Sequence, residues 1–420
     1  MKQYKSLGIL MTLSMIALAS ASCEKDYSAI TNPPEEQTTN TYSSYDIDWT
    51  AAADSVSTAF IERFYCSSNR NGAEHVFSYS EYNRRGGNGN CYWQQAHAMA
   101  AMVDYYNRIK NSDPDNAARI KNYFRQWYDK RGNNYEGNRT WRGSTGFGND
   151  FTDDTNWITI ALLQIYEATG EEMYYNAAKA TWDECVRPRF ELNQYGFLPW
   201  KWSDLGANEC TNGPGAIVAA TLAGYAREKG NTEEYEKYLS EAYKCFDQNL
   251  FVMNSDGTLG SIPLSYTQGT CMEAGRLIWK LTGEEGYIRK AVRAARGQMT
   301  SGSMNEVYES EKVMRDEGTD ENNSIFHAVF YHWAARMIAD SDIDAIDSRI
   351  RAELEKYVLR HTSYYWTRGI DKSPEGWENS YFSVKCYEAR TPGTGGSLGA
   401  YSSAAQAFES MCIVERSKQK

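Results

Sequence analysis

The sequence has no excess of positive charge. Its 44 Lys and Arg are outnumbered by 55 Asp and Glu, a formal net charge of −11. Nucleic-acid binding needs clustered cations to displace the counterions condensed on phosphates, so nucleic acid is excluded as a partner. None of the nine cysteines forms a Cys-x-x-Cys pair, which excludes a zinc ribbon. No phosphate loop or dinucleotide fingerprint stands in a supporting context, and continuous β-branched runs are scarce. A multi-spanning membrane protein is excluded too. What remains is a chain of 420 residues, 41% hydrophobic, able to bury one large core or two ordinary ones. Its 31 Tyr and 12 Trp pair an apolar face with a polar tip. An acidic, aromatic-rich chain leaves neutral ligands open, carbohydrates among them.

The first residues read as an address. Lys2 and Lys5 precede a mostly apolar stretch from Leu7 to Leu18, and the small residues Ser20, Ala21 and Ser22 precede Cys23. That is a secretory signal over 1–22, too short for a stable transmembrane helix. The run resembles a bacterial lipobox, with Ser20 where Leu is usual. Cleavage before Cys23 would expose its thiol to lipidation and leave a formal charge of about −13, since Lys2 and Lys5 depart with the leader. Glu24 and Asp26 resemble the surface-export tether of gut Bacteroidetes lipoproteins. A plain signal peptide with a chance Cys is the alternative. Residues 23–48 are Ser, Thr, Asn, Glu and Pro rich and read as a flexible tether. The expectation is an exported monomer, lipid-anchored to the outer membrane, with one domain over 49–420. The other cysteines, Cys66, Cys91, Cys185, Cys210, Cys245, Cys271, Cys386 and Cys412, have no readable pairing, and several sit in apolar helical runs as small core residues.

Beyond the tether, apolar residues recur at helical spacing. The pattern predicts helices near 50–64, 93–110, 115–130, 155–169, 171–186, 213–229, 231–249, 268–282, 284–298, 324–339, 344–361 and 398–413. An internal repeat organises them. Ala161 to Ala178 resembles Ala274 to Ala291, each a helix stopped by Gly (Gly170, Gly283) before an acidic-started helix. A third copy runs through Gly230. Six hairpins with long loops at one end predict an all-α closed toroid, an (α/α)6 barrel, with an open solenoid as the alternative.

Two loops and one helix entrance attract chemistry. Asp153 and Asp154 stand together before Trp157. Capping and the helix dipole explain one Asp well and two less well, whereas a retaining glycosidase needs one carboxyl as nucleophile and another as acid/base. Trp200 and Trp202, then Asn212, then Tyr266 and Gln268, occupy corresponding helix entrances and suit the faces and hydroxyl edges of a sugar; packing is the competing explanation. Asp256, in Asn254-Ser255-Asp256-Gly257, is either a hydroxyl ligand or a turn residue. Gly395-Gly396-Ser397-Leu398-Gly399 satisfies a nucleophile-elbow pattern, but Pro392 and Gly393 precede it and no His follows it. His327 and His332 lie five apart and do not share a helix face as zinc ligands would.

The ordered set Tyr92-Trp93-Gln94-Gln95-Ala96, Asp153-Asp154 before Trp157, Gly196 to Trp202, Asn212-Gly213-Pro214 and Tyr266 to Thr270 resembles glycoside hydrolase family 76 over about residues 50–413. The resemblance implies an endo-α-1,6-mannanase with an (α/α)6 barrel and no metal or organic cofactor. It makes Asp153 the nucleophile and Asp154 the acid/base, with Trp93, Trp157, Trp200, Trp202, Asn212, Tyr266, Gln268 and Asp256 as sugar contacts. Thr267 stands where the family usually has Asn, and Glu209 where Lys is frequent, so the subsites differ. A transglycosylase, a hydrolase of another α-mannoside, or a glycan-binding lipoprotein with a dead site are the competing functions.

Overall fold

The computed structural model describes residues 47–66, 76–78, 92–131, 143–318, 323–373, 381–383, 385–388 and 396–419. Cys23, the leader and the tether as far as residue 46 lie outside them, as does Cys91. Twelve α-helices are present among the described residues. They are α1 (Trp49–Phe64), α2 (Tyr92–Ile109), α3 (Pro114–Asp129), α4 (Thr152–Thr169), α5 (Glu172–Thr181) and α6 (Glu209–Glu228). The remainder are α7 (Thr232–Phe251), α8 (Ser265–Thr282), α9 (Glu285–Thr300), α10 (Phe326–Ala339), α11 (Ile350–Tyr364) and α12 (Leu398–Ser417).

The repeat glycines end their helices as the sequence implies. Gly170 and Gly283 adopt left-handed φ of 72° and 77°, and each backbone N–H closes on a carbonyl four residues back at 2.7 Å. A side chain there would strain the turn.

Helices α2, α4, α6, α8, α10 and α12 pack each on the next, and α12 packs back on α2, so the inner ring closes. The open solenoid is thereby excluded: the fold is an (α/α)6 barrel. Composition sorts the two rings. Inner α12 is buried from Leu398 through Cys412, while outer α3 buries one stripe, Ala117, Ile120, Tyr123, Phe124 and Trp127. Short turns carry the chain from α2, α4, α6 and α8 to the helix that packs back outside it. Each following inner helix therefore starts at the same end. The long connections gather there, carrying three small hairpins: β1–β2 (Pro199–Lys201, Asp204–Ala207), β3–β4 (Asn305–Tyr308, Glu311–Met314) and β5–β6 (Ile370–Asp371, Tyr381–Phe382).

Of the boundaries that differ from the sequence reading, two have a cause visible in the hydrogen bonds. Helix α6 starts at Glu209 rather than Gly213, because Asn208 Oδ1 accepts the Thr211 N–H at 3.0 Å and caps it ahead of the Gly-Pro pair. The segment expected as one helix over 171–186 ends at Thr181, continues as a π turn (Trp182–Val186) and bends into a 3₁₀ turn (Arg187–Glu191). Glu241 of α7 clamps that bend, accepting from Trp182 Nε1 at 2.8 Å and from Arg187.

A polar cluster links four inner helices across the barrel. Asp104 of α2 accepts from Arg336 at 3.0 Å and Gln406 at 2.7 Å and lies 2.9 Å from His332 Nδ1; His332 Nε2 lies 2.7 Å from Gln164 Nε2. Burial works against the Asp104 anion, but Arg336, His332 and Gln406 together hold it well below the usual carboxylate range. No helix among the described residues is long and apolar enough to cross a membrane.

Candidate active site

Helix α4 begins at the barrel mouth without a side-chain cap, since Phe151 holds that position. Asn149 orders the entrance from outside the helix. Its Oδ1 accepts the Phe151 N–H at 3.0 Å and its Nδ2 donates to Asp154 Oδ2 at 3.3 Å. Asp153 and Asp154 thus fall in the first turn, where the helix dipole favours negative charge.

Asp153 is held from the neighbouring hairpin. Trp200 Nε1 donates to its Oδ2 at 3.1 Å, and the Cys210 thiol approaches the same oxygen at 3.7 Å. Oδ1 is buried with no hydrogen-bond partner among the described residues. Burial pushes the Asp153 carboxyl up to about 6, against the pull of its backbone, Trp200 and Cys210 donors. Trp200 is fixed in turn: its ring meets Phe151 edge-on at 5.2 Å, and Lys201 Nζ lies 4.7 Å from its centroid.

An aromatic wall continues from the pair. Trp157, one turn below Asp153, lies 6.5 Å from Tyr266, which stacks on Phe326 at 4.4 Å. On the other side His97 stands 4.8 Å from Trp157 and meets Trp93 edge-on at 5.2 Å. The Tyr266 hydroxyl bonds to the Cys210 thiol, and burial raises both groups well above their ordinary values. A cavity of about 20 Å³ lies beside Trp157 and His97, enough for about one water.

The other sequence candidates sit in the scaffold. Asn212 is fully buried; its Oδ1 accepts the Leu198 N–H at 3.0 Å, and its Nδ2 donates to the Leu198 and Asn208 carbonyls, both at 2.9 Å. Gln268, equally buried, donates to the Gly257 and Ala294 carbonyls. Asp256 accepts from Thr258 and from Ser301 Oγ at 2.8 Å, closing its own turn. Trp202 carries the Arg189 guanidinium over its ring at 5.3 Å. The structure therefore brings Asp153, Asp154, Trp200, Trp157, Tyr266 and, through His97, Trp93 into one assembly. It gives the polar atoms of Asn212, Gln268 and Asp256 to loop architecture.

Sequence reasoning missed Asn149, Cys210 and Arg189 as parts of this site. Asn149 stands within the loop singled out for its aspartates, and its amide was the available signal. Cys210 and Arg189 reach the pair from 57 and 37 residues away in contacts with Asp153 and Thr152, and carry no local signal.

Residues 48–419 match the model of glycosyl hydrolase family 76. The chain belongs to glycosyl hydrolase family 76. It is a glycoside hydrolase by that membership. Among solved structures it is similar to the GH76A α-1,6-mannanase from Salegentibacter sp. HEL1_6, with TM-score 0.69 and 20% identity over 87% of this chain and 100% of that one. An inactive variant of that enzyme in complex with α-1,6-mannotetrose, with two adjacent aspartates replaced, superposes with TM-score 0.70 at 20% identity, covering 88% and 100%. A family 76 mannosidase from Bacteroides thetaiotaomicron VPI-5482 gives TM-score 0.65 at 17% identity, covering 89% and 100%. At these identities the likeness is one of fold. No curated protein matches the chain.

Proposed function

We propose that this family 76 protein is a retaining endo-hydrolase of α-1,6-linked mannan. The observation that carries the reading is the adjacent pair Asp153–Asp154 at the barrel mouth, Asp153 held by Trp200 and Asp154 by Asn149. The Salegentibacter variant, inactive with two adjacent aspartates replaced and bound to α-1,6-mannotetrose, supports both the pair and the substrate class. In the first step Asp153 attacks the anomeric carbon while Asp154, protonated, gives its proton to the departing glycosidic oxygen. Asp154 then takes a proton from water, whose oxygen displaces Asp153 and restores the starting anomer. The two donors on Oδ2 favour the anion this requires. Burial of Asp153 favours its protonated form, which suits an acid instead, and this supports a second reading with the two roles exchanged.

We further propose that the protein is a monomer, exported and held at the outer membrane through a lipid on Cys23, with the 23–48 segment as tether. The test of function is incubation with linear α-1,6-mannan. Internal cleavage gives a falling ladder of oligosaccharides with rapid loss of chain length. Release of mannose alone would make the enzyme exo-acting, and unchanged polymer with measurable binding would make it a glycan-binding protein.

A further inference from the structure

We infer that Arg189 is a positioning residue for the catalytic pair, locking the 149–152 turn against the Trp202 hairpin. This rests on the proposed roles of Asp153 and Asp154. Arg189 is fully buried on the 3₁₀ turn that follows α5. One end of its guanidinium donates to the Asp150 carbonyl at 3.0 Å and to Thr152 Oγ1 at 2.8 Å; the other donates to the Asn149 carbonyl. One face lies over the Trp202 ring at 5.3 Å. Among the described residues no carboxylate stands within ion-pair distance of it.

A buried cation without a carboxylate partner is costly, and burial pushes this guanidinium down to about 10. Structural bracing alone would be served by a neutral amide. What a planar cation adds is a fork that grips two successive carbonyls while stacking on an aromatic ring. The grip falls on the residues that aim the pair. Asn149 holds Asp154 by its amide, and Thr152 immediately precedes Asp153. Trp202 belongs to the segment that delivers Trp200 to Asp153 Oδ2. A single side chain thereby ties both aspartates to both of their holders. Its charge also acts on Asp153 directly, as it does on Asp150, Tyr92 and Cys185. The other ionisable groups around Asp153 are Asp154, Cys210, Tyr266 and Lys201, whose ammonium lies over the Trp200 ring, so Arg189 is one of two cations near the pair and the one that grips its turn.

Three variants of the full chain test this: Arg189→Lys, Arg189→Gln and Thr152→Val. Arg189→Lys keeps the charge and loses the fork, so kcat on α-1,6-mannotetraose should fall roughly tenfold with KM little changed and the acid limb of kcat/KM in place. Arg189→Gln loses both, and its acid limb should also move up by roughly half to one pH unit, since Asp153 loses a stabilising cation. Thr152→Val removes one bond without burying or exposing charge, so it reports kcat even where the Gln variant fails to fold. Wild-type kcat in Arg189→Lys and Thr152→Val, or an unmoved limb in a folded Gln variant, overturns the inference. Asp153→Asn serves as the control. Full activity in that variant, or none in the wild type, sinks the proposed function itself and this inference with it.

Discussion

The indole of Trp200 donates to Asp153 Oδ2 at 3.1 Å and so holds the carboxylate of the pair from the neighbouring hairpin. The bond crosses from hairpin β1–β2 to the first turn of α4. It also favours the carboxylate over the acid, opposing the burial that pushes Asp153 up to about 6. Trp200→Phe keeps the ring against Phe151 and removes only the donor. Without it the Asp153 carboxyl moves further up, so a larger share is protonated at pH 6 than at pH 8. The expected result is a loss in kcat/KM of roughly tenfold at pH 6, shrinking toward pH 8, with the acid limb displaced upward. A uniform loss at all pH values would show that Trp200 acts on sugar alone.

The same elevation makes Asp153 a cost to folding. Its folded value, about 6, lies above its ordinary 3.8. Such a group stabilises the folded chain when protonated, and that contribution is lost as pH rises through 6. Asp153→Asn therefore should be more stable than the wild type at pH 8, by roughly 1–3 kcal/mol, and nearly equal to it at pH 4. Urea unfolding at the two pH values measures this. Equal stability at pH 8 would mean that the carboxylate is not strained by its burial.

Asn212 is tested in the opposite sense. Its amide satisfies both the N–H and the carbonyl of Leu198, which is itself fully buried. Asn212→Ala leaves two backbone groups without partners, at a cost of roughly 2–4 kcal/mol. The midpoint of urea unfolding should fall accordingly, while the folded fraction keeps its KM for mannotetraose. A raised KM with unchanged stability would return Asn212 to the sugar.

How legible all this was depends on the range over which each feature is encoded. The hairpins are local: Gly170 and Gly283 stop helices within one turn of the residues they cap. The closure of six pairs into a ring followed from their number. The bend after Thr181 was not legible, because Glu241 imposes it from α7, more than fifty residues away. Asp153 and Asp154 stood out because adjacent carboxylates are more than capping requires. Asn212 and Gln268 stood out as amides beside aromatics, and in the folded chain those amides bond backbone carbonyls. An amide beside aromatics has the same local pattern whether it meets a hydroxyl or a backbone carbonyl, and only the packed chain decides between them. Arg189 shows the reverse, since an arginine in a polar turn looks solvent-bound until the chain folds over it.

Export is tested apart from catalysis. Cys23→Ala removes the only thiol that leader cleavage would place at the new N-terminus. The variant should leave the membrane fraction and retain full activity on soluble mannan. Membrane retention by the variant would refute the lipid anchor, and loss of activity would link the tether to the barrel.

The two aspartates are separated by the stereochemistry of rescue. Asp153→Ala and Asp154→Ala should each leave a folded barrel, since a carboxylate in a first helical turn contributes at most roughly one to two kcal/mol to the helix. Both should lose nearly all hydrolysis of α-1,6-mannan. On an activated aryl α-mannoside, azide should restore turnover in both, through different products. In Asp153→Ala the azide takes the place of the missing nucleophile, attacks opposite the leaving group and gives the β-mannosyl azide. In Asp154→Ala the activated leaving group departs without an acid, Asp153 forms the inverted intermediate, and azide inverts it again to the α-mannosyl azide. Products opposite to these would exchange the two roles and match the second reading, in which burial keeps Asp153 protonated as the acid. Wild-type hydrolysis in either variant would remove the pair from catalysis altogether.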